Sequence, residues 1–271
     1  MLRSLKALES YHVSANDGDV GKVCDFFVDD ERWAVRYLVV DTGGFWQGPH
    51  RVLISPVGFR QVDWSSRTFH LALTQAKIKG SPTVDVDKPV SRQHEREHFQ
   101  YYGWSPYWGL GGSWDWGVGA YPSILATSPR SEPEEHADQQ TGDPHLRSVR
   151  EVVGYQIQCS DGAIGHVDDF IVDDEAWMIR YLVIDTSNWW FGKKVLVAPR
   201  WTDKIDWAER TVHLALPRET IKGSPAWHAN APVNREYEER LYDYYGRPVY
   251  WDDADEKAPS VTAPAEKHPS P

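Results

Sequence analysis

Two histidines occupy the same place in matching segments, His70 in RTFHLAL and His213 in RTVHLAL. Imidazole titrates near neutrality, so proton handling is the chemistry such residues could do. In an alternating strand, however, His70 faces outward if Phe69 and Leu71 face a core, and a surface histidine is the plainer reading. Neither has a second histidine at ligand spacing, so zinc is not expected. Acids cluster at Asp25, Asp29, Asp30 and Glu31, and again at Asp169, Asp173, Asp174 and Glu175. Carboxylates suit a hard cation, but the spacing is not that of a calcium loop. Asp29-Asp30 reads as a solvated turn, and no metal or cofactor is expected.

Asp25 and Asp169 differ, because each lies between apolar residues in a strand-like run. A carboxylate on a packed face needs a partner. Arg36 and Arg180, on the following strand, are the natural candidates, so the sequence predicts ion pairs Asp25–Arg36 and Asp169–Arg180. Bulky aromatics form a third group: Phe45, Trp46, Trp189 and Trp190 after RYLVVD and RYLVID, and Tyr101, Tyr102, Tyr244 and Tyr245 in YYG segments. Trp and Tyr are frequent interface anchors, so these are candidate contact residues. No nucleophile elbow, phosphate-cradling glycine loop or CxxC motif is present. An enzyme is not expected.

The bulk numbers narrow the classes. The chain has 271 residues and a net charge of −11. Segment 131–145 holds five acids and no Lys or Arg, and 252–271 holds five acids against two lysines. Most of the charge therefore sits in connectors, and nothing resembles the basic footprint of a nucleic-acid binder. The two cysteines, Cys24 and Cys159, fall at unmatched positions, which argues for a reducing compartment over a disulfide framework. No signal-like or membrane-length apolar run is seen, so a cytoplasmic chain without an integral membrane segment is expected.

The elements that must position these residues are duplicated. At an offset of 144, residues 18–48 and 162–192 agree at 18 of 31 positions. After the loss of one residue, VLISP answers VLVAP, VDW answers IDW, and IKGSP recurs unchanged. So long a period means two whole domains. Each copy reads as around six short strands with Gly/Asp turns, among them 11–13, 20–28, 33–40, 52–54 and 68–73 in the first. Cys24, Phe26 and Val28 would share one face of the second strand, with Val23, Asp25 and Phe27 on the other. Each copy then ends in a polar helix capped by Ser91 or Asn234 and stopped by Gly103 or Gly246.

These motifs carry a resemblance. GDVGKVCDFFVDD…RYLVVD and its partner DGAIGHVDDFIVDD…RYLVID resemble the PRC-barrel family, whose type member is the cytoplasmic domain of the photosynthetic reaction centre H subunit. The pattern falls on Gly21, Val23, Asp25 and 36–41, and on Gly165, Val167, Asp169 and 180–185. The resemblance implies a mainly β fold of two tandem small barrels, each followed by a short C-terminal helix. The expected divisions are 1–103 (first repeat), 104–146 (Trp/Gly-rich then acidic linker, disordered), 147–251 (second repeat) and 252–271 (disordered tail). It implies a bacterial, non-catalytic binding or assembly module for a protein partner the sequence does not name. The barrels are expected to pair within the chain, with Trp46 and Trp190 as anchors of the contact. The alternative it implies is an accessory protein of a photosynthetic or other electron-transfer complex, peripheral to a membrane, or a binder of a small quinone-like ligand.

Overall fold

The computed structural model describes residues 1–43, 50–84, 90, 92–104, 146–186 and 192–251. Each repeat begins with an arm: β1 (Leu2–Ser4) and α1 (Leu5–Leu8) in the first, β8 (Leu146–Ser148) and α4 (Val149–Val152) in the second. The first repeat continues through β2 (His12–Ala15), β3 (Gly18–Asp29), β4 (Ala34–Asp41), β5 (Arg51–Ile54), β6 (Phe59–Asp63), β7 (Thr68–Leu71), α2 (Gln75–Lys79) and α3 (Arg92–Tyr102). The second answers with β9 (Gln156–Cys159), β10 (Gly162–Asp173), β11 (Ile179–Asp185), β12 (Lys194–Val197), β13 (Thr202–Asp206), β14 (Thr211–Leu214), α5 (Arg218–Gly223), β15 (Ala226–Trp227) and α6 (Arg235–Tyr245).

The strands form two sheets, in the orders β5-β4-β3-β2-β7-β6 and β13-β14-β9-β10-β11-β12-β15. Pairing is antiparallel except between β2 and β7 and between β9 and β14. The expected closed barrel is corrected: no ladder joins the ends of either order among the described residues. At that corner a 3-10 turn, Pro56–Gly58 or Pro199–Trp201, carries the chain from β5 to β6 and from β12 to β13. Proline fixes φ and removes a donor, so these residues turn the chain instead of extending a ladder. No helix among the described residues is long and apolar enough to cross a membrane.

The expected face alternation of β3 also needs correction. Its register against β4 shifts between Val23 and Asp25, so Cys24 is an extra residue, a β-bulge. Val23, Phe26 and Val28 therefore share the main core, while Phe27 joins Tyr37, Val39, Leu53 and Phe99 in a second cluster on the other face. Both faces of β4 are buried, because α3 covers the outer one. The glycine of the G-x-V-x-D pattern is explained by close approach: a Cβ on Gly21 would lie 1.9 Å from the Asp41 carbonyl oxygen.

The terminal helices dock on their own repeats. The Asn234 side chain accepts from Tyr237 N at 2.9 Å and Gly246 ends α6 in the left-handed conformation at φ 60°. Ser91, the matching cap, lies outside the described residues.

Candidate functional site: the seam between the repeats

The arms cross over. β1 pairs with β10 of the second repeat, with Leu2 opposite Asp173 and Ser4 opposite Ile171. Reciprocally, β8 pairs with β3, with Leu146 opposite Asp29 and Ser148 opposite Phe27. The long strands permit this, since β3 has 12 residues while β2 covers only its first part. Each arm lies on the edge that its neighbour leaves bare, and an uncovered strand edge is a template for pairing.

Each arm turns at a serine into a one-turn helix, and the buried aspartate of the opposite repeat holds that turn. Ser148 Oγ accepts from Glu151 N at 3.3 Å and donates to Asp25 Oδ2 at 2.5 Å. Asp25 Oδ1 also accepts from Phe26 N at 2.7 Å and Arg150 N at 3.3 Å. The other half repeats the geometry. Ser4 Oγ accepts from Ala7 N at 3.0 Å and donates to Asp169, whose Oδ1 accepts from Lys6 N at 3.0 Å and Phe170 N at 2.7 Å. Asp25 and Asp169 are 2% and 3% exposed, and burial raises both above the usual carboxylate range. Glu9, near both, is raised as well, by burial first, against the pull of Arg150.

The expected ion pairs are therefore corrected. Arg36 donates to Asp29 Oδ2 through Nε at 3.1 Å and Nη2 at 2.6 Å, and Arg180 Nη2 reaches Asp173 Oδ2 at 3.1 Å. A second register shift explains the change. Phe27 faces Tyr37 and Val28 faces Val35, which makes Arg36 the extra residue of a bulge on β4. Arg180 is its counterpart on β11. Burial raises Asp29, but Arg36 and the Arg32 backbone outweigh it and hold that carboxyl low.

Around these locks the two hairpin tips meet. Trp33 and Trp177 adopt φ of 54° and 55°, a conformation costly for bulky side chains. Ile179 N donates to the Trp33 carbonyl at 2.6 Å and Val35 N to the Trp177 carbonyl at 2.8 Å. The Trp177 ring packs 5.2 Å from Phe59 and 6.0 Å from Phe69, inside the first repeat. At the rim, Asp174 binds the Met1 amine and Arg3 Nε, and the Arg3 guanidinium lies 3.6 Å from the Trp64 ring centre.

The remaining predicted residues fall elsewhere. Phe45, Trp46, Trp189 and Trp190 lie outside the described residues. Tyr102 and Tyr245 are buried within their own repeats, stacked on Trp104 at 4.5 Å and packed 4.8 Å from Trp201. Tyr101 and Tyr244 donate to the carbonyls of Lys77 and Thr220, at 2.7 and 2.8 Å. For Tyr102 and Tyr245 this corrects the expectation of a contact surface, since their rings join Phe99 and Leu241 in the buried faces of the terminal helices, while Tyr101 and Tyr244 tie those helices to α2 and α5. His70 and His213 are half-buried on β7 and β14. His70 borders a recess of about 300 Å³ with Asn16, Arg60 and Gln61. Burial pushes the Cys24 and Cys159 thiols up to about 11, so both stay protonated at neutral pH.

Sequence reasoning missed the arms and a buried pair under each helix. Tyr37 OH donates to Glu95 Oε1 at 2.8 Å, and Tyr181 OH to Glu238 Oε1 at 2.7 Å, where Tyr250 OH adds a bond at 3.0 Å. The signal for the arms was available, since LRS stands at both 2–4 and 146–148. The two glutamates also recur at the repeat spacing, hidden among charged neighbours.

No curated protein matches this chain. The duplication of the motifs in the first repeat rests on the internal repeat itself. Residues 144–217, which run from just before the second arm through β14, match the PRC-barrel domain family.

Proposed function

We propose that the protein is a non-catalytic binding and assembly module for a protein partner. One observation carries this reading: the acids that the fold buries or half-buries serve architecture. Asp25 and Asp169 hold the arms, Asp29 and Asp173 bind arginines, and Glu95 and Glu238 accept tyrosine hydroxyls. Catalytic acids are instead expected to project into a cleft, within reach of a substrate. The PRC-barrel match at 144–217 adds support, since such modules often serve protein interactions. The test is capture with the tagged full chain, followed by reconstitution from purified components. Saturable, stoichiometric binding supports the reading. Turnover of a compound by the purified protein, lost on Asp25→Asn with the fold intact, refutes it.

A second reading has its own observation. The recess beside His70 holds Arg60, Asn16 and Gln61 but no carboxylate among its lining residues. That chemistry suits a small polar anion better than an apolar quinone. Calorimetric titration of phosphate and succinate against wild type and Arg60→Ala separates the cases. Binding weakened at least tenfold by the substitution supports a ligand role, and no saturable heat in wild type removes it.

A further inference from the structure

We infer that the seam is interchangeable between chains, so that the partner it fits best is a second copy of this protein. The two locks are chemically the same. Both arms read Leu-Arg-Ser followed by an apolar residue, and both receptors are a bulged strand with a buried aspartate. Both serines cap their helix and donate to that aspartate, and both aspartates accept the backbone N–H two residues after the serine. The hairpin tips bind through the same reciprocal pair of backbone hydrogen bonds. Each repeat thus carries one arm and one receptor, the requirement for a self-complementary two-fold contact.

The differences do not enforce the native pairing. Lys6 reaches Asp168 at 3.3 Å and Arg150 reaches Glu9 at 3.8 Å. If two first repeats paired, Lys6 would lie opposite Cys24 and Glu9. If two second repeats paired, Arg150 would lie opposite Asp168 and Val153. Arg51 and Lys194 flank those receptor sites, but each alternative only exchanges Lys6 and Arg150 on the same receptor, so neither adds a like-charge contact and the seam lacks the repulsive element that specificity needs. What selects the intramolecular pair is the tether, residues 105–145, which keeps the two repeats at a roughly millimolar effective concentration. This inference goes beyond the binding-module reading and does not rest on it, since self-pairing requires no foreign partner.

Two full-length variants with equal damage test it. One carries Ser4→Ala, Leu5→Asp and Asp25→Asn, which spoils the arm and the receptor of the first repeat. It leaves the second repeat complete and should form a discrete dimer by light scattering. The other carries Ser4→Ala, Leu5→Asp and Asp169→Asn, which spoils both sides of one lock and leaves the other lock intact. It should stay monomeric. Two monomers, or two dimers, overturn the inference. Should the first variant fail to fold, wild-type chains bearing donor or acceptor dyes decide the matter. Mixed and refolded from urea at increasing concentration, they should give a dimer fraction with energy transfer. Monomers alone at near-millimolar protein overturn it.

Discussion

Ser148 Oγ both caps α4 and donates to Asp25, so one atom joins a helix start to a buried acid in the opposite repeat. Ser148→Ala removes both bonds and leaves part of a 2% exposed carboxyl without a donor. We expect a loss of about 1–3 kcal/mol, read from urea unfolding, with no change in secondary structure. His98 gives a residue-scale prediction about pH. It is fully buried, bonded through Nε2 to the Leu53 carbonyl at 2.7 Å, and burial lowers its pKa to about 4. Its folded pKa lies below the unfolded value near 6.5. Stability from the neutral ring is therefore whole above pH 6.5 and is lost as pH falls toward 4, by roughly 3 kcal/mol. Asp25, Asp169 and Glu238 are raised by burial and work in the opposite sense, losing stability as pH rises through their folded pKa values. The second repeat has Leu241 where the first has His98. His98→Leu should flatten the pH dependence between 4 and 6.5; an unchanged slope would show that the acid loss comes from other groups.

The arms are the elements on which the architecture turns, and they are the least visible in the sequence. Long alternating strands and capped helices announce themselves, and β3, β4 and the two terminal helices were legible for that reason. A three-residue strand has no period to detect, and its partner lies some 170 residues away in the chain. The bulges misled in another way. Each shifts alternation by one residue, so Asp25 and Arg36, which simple alternation would pair, are sent to different partners. β6 and β13 are absent from the expected strands, since FRQVD and TDKID are short and mostly polar. Leu5 is wholly buried against the opposite repeat. Leu5→Ala should cost about 2–5 kcal/mol, and the midpoint of thermal unfolding should fall by roughly 5–15 °C. Under α6, Tyr181→Phe removes one of the two tyrosine donors to Glu238 Oε1. A loss of about 1–3 kcal/mol is expected, with local hydrogen exchange of α6 accelerated more than that of α3.

For the whole molecule, the crossed arms make each repeat part of the other. A chain of two independent domains would unfold in two steps. Here the main core cluster draws on both repeats, from Leu5 and Phe26 to Phe170 and Leu241. Calorimetry should therefore show one cooperative transition, with equal van't Hoff and calorimetric enthalpies; two resolved transitions would mean that the seam contributes little.

The crossing also has a consequence in time. The receptor edge of β3 and Asp25 are complete once the first repeat has been synthesised, but the strand and serine that cover them lie beyond the 41 residues of segment 105–145. At about 5–20 residues per second, a nascent first repeat waits several seconds outside the ribosome with its edge and its buried acid open. During that interval the nearest suitable arm is on the chain being made by the next ribosome along the same message. Translation speed through the connector thus becomes a determinant of which arm arrives first.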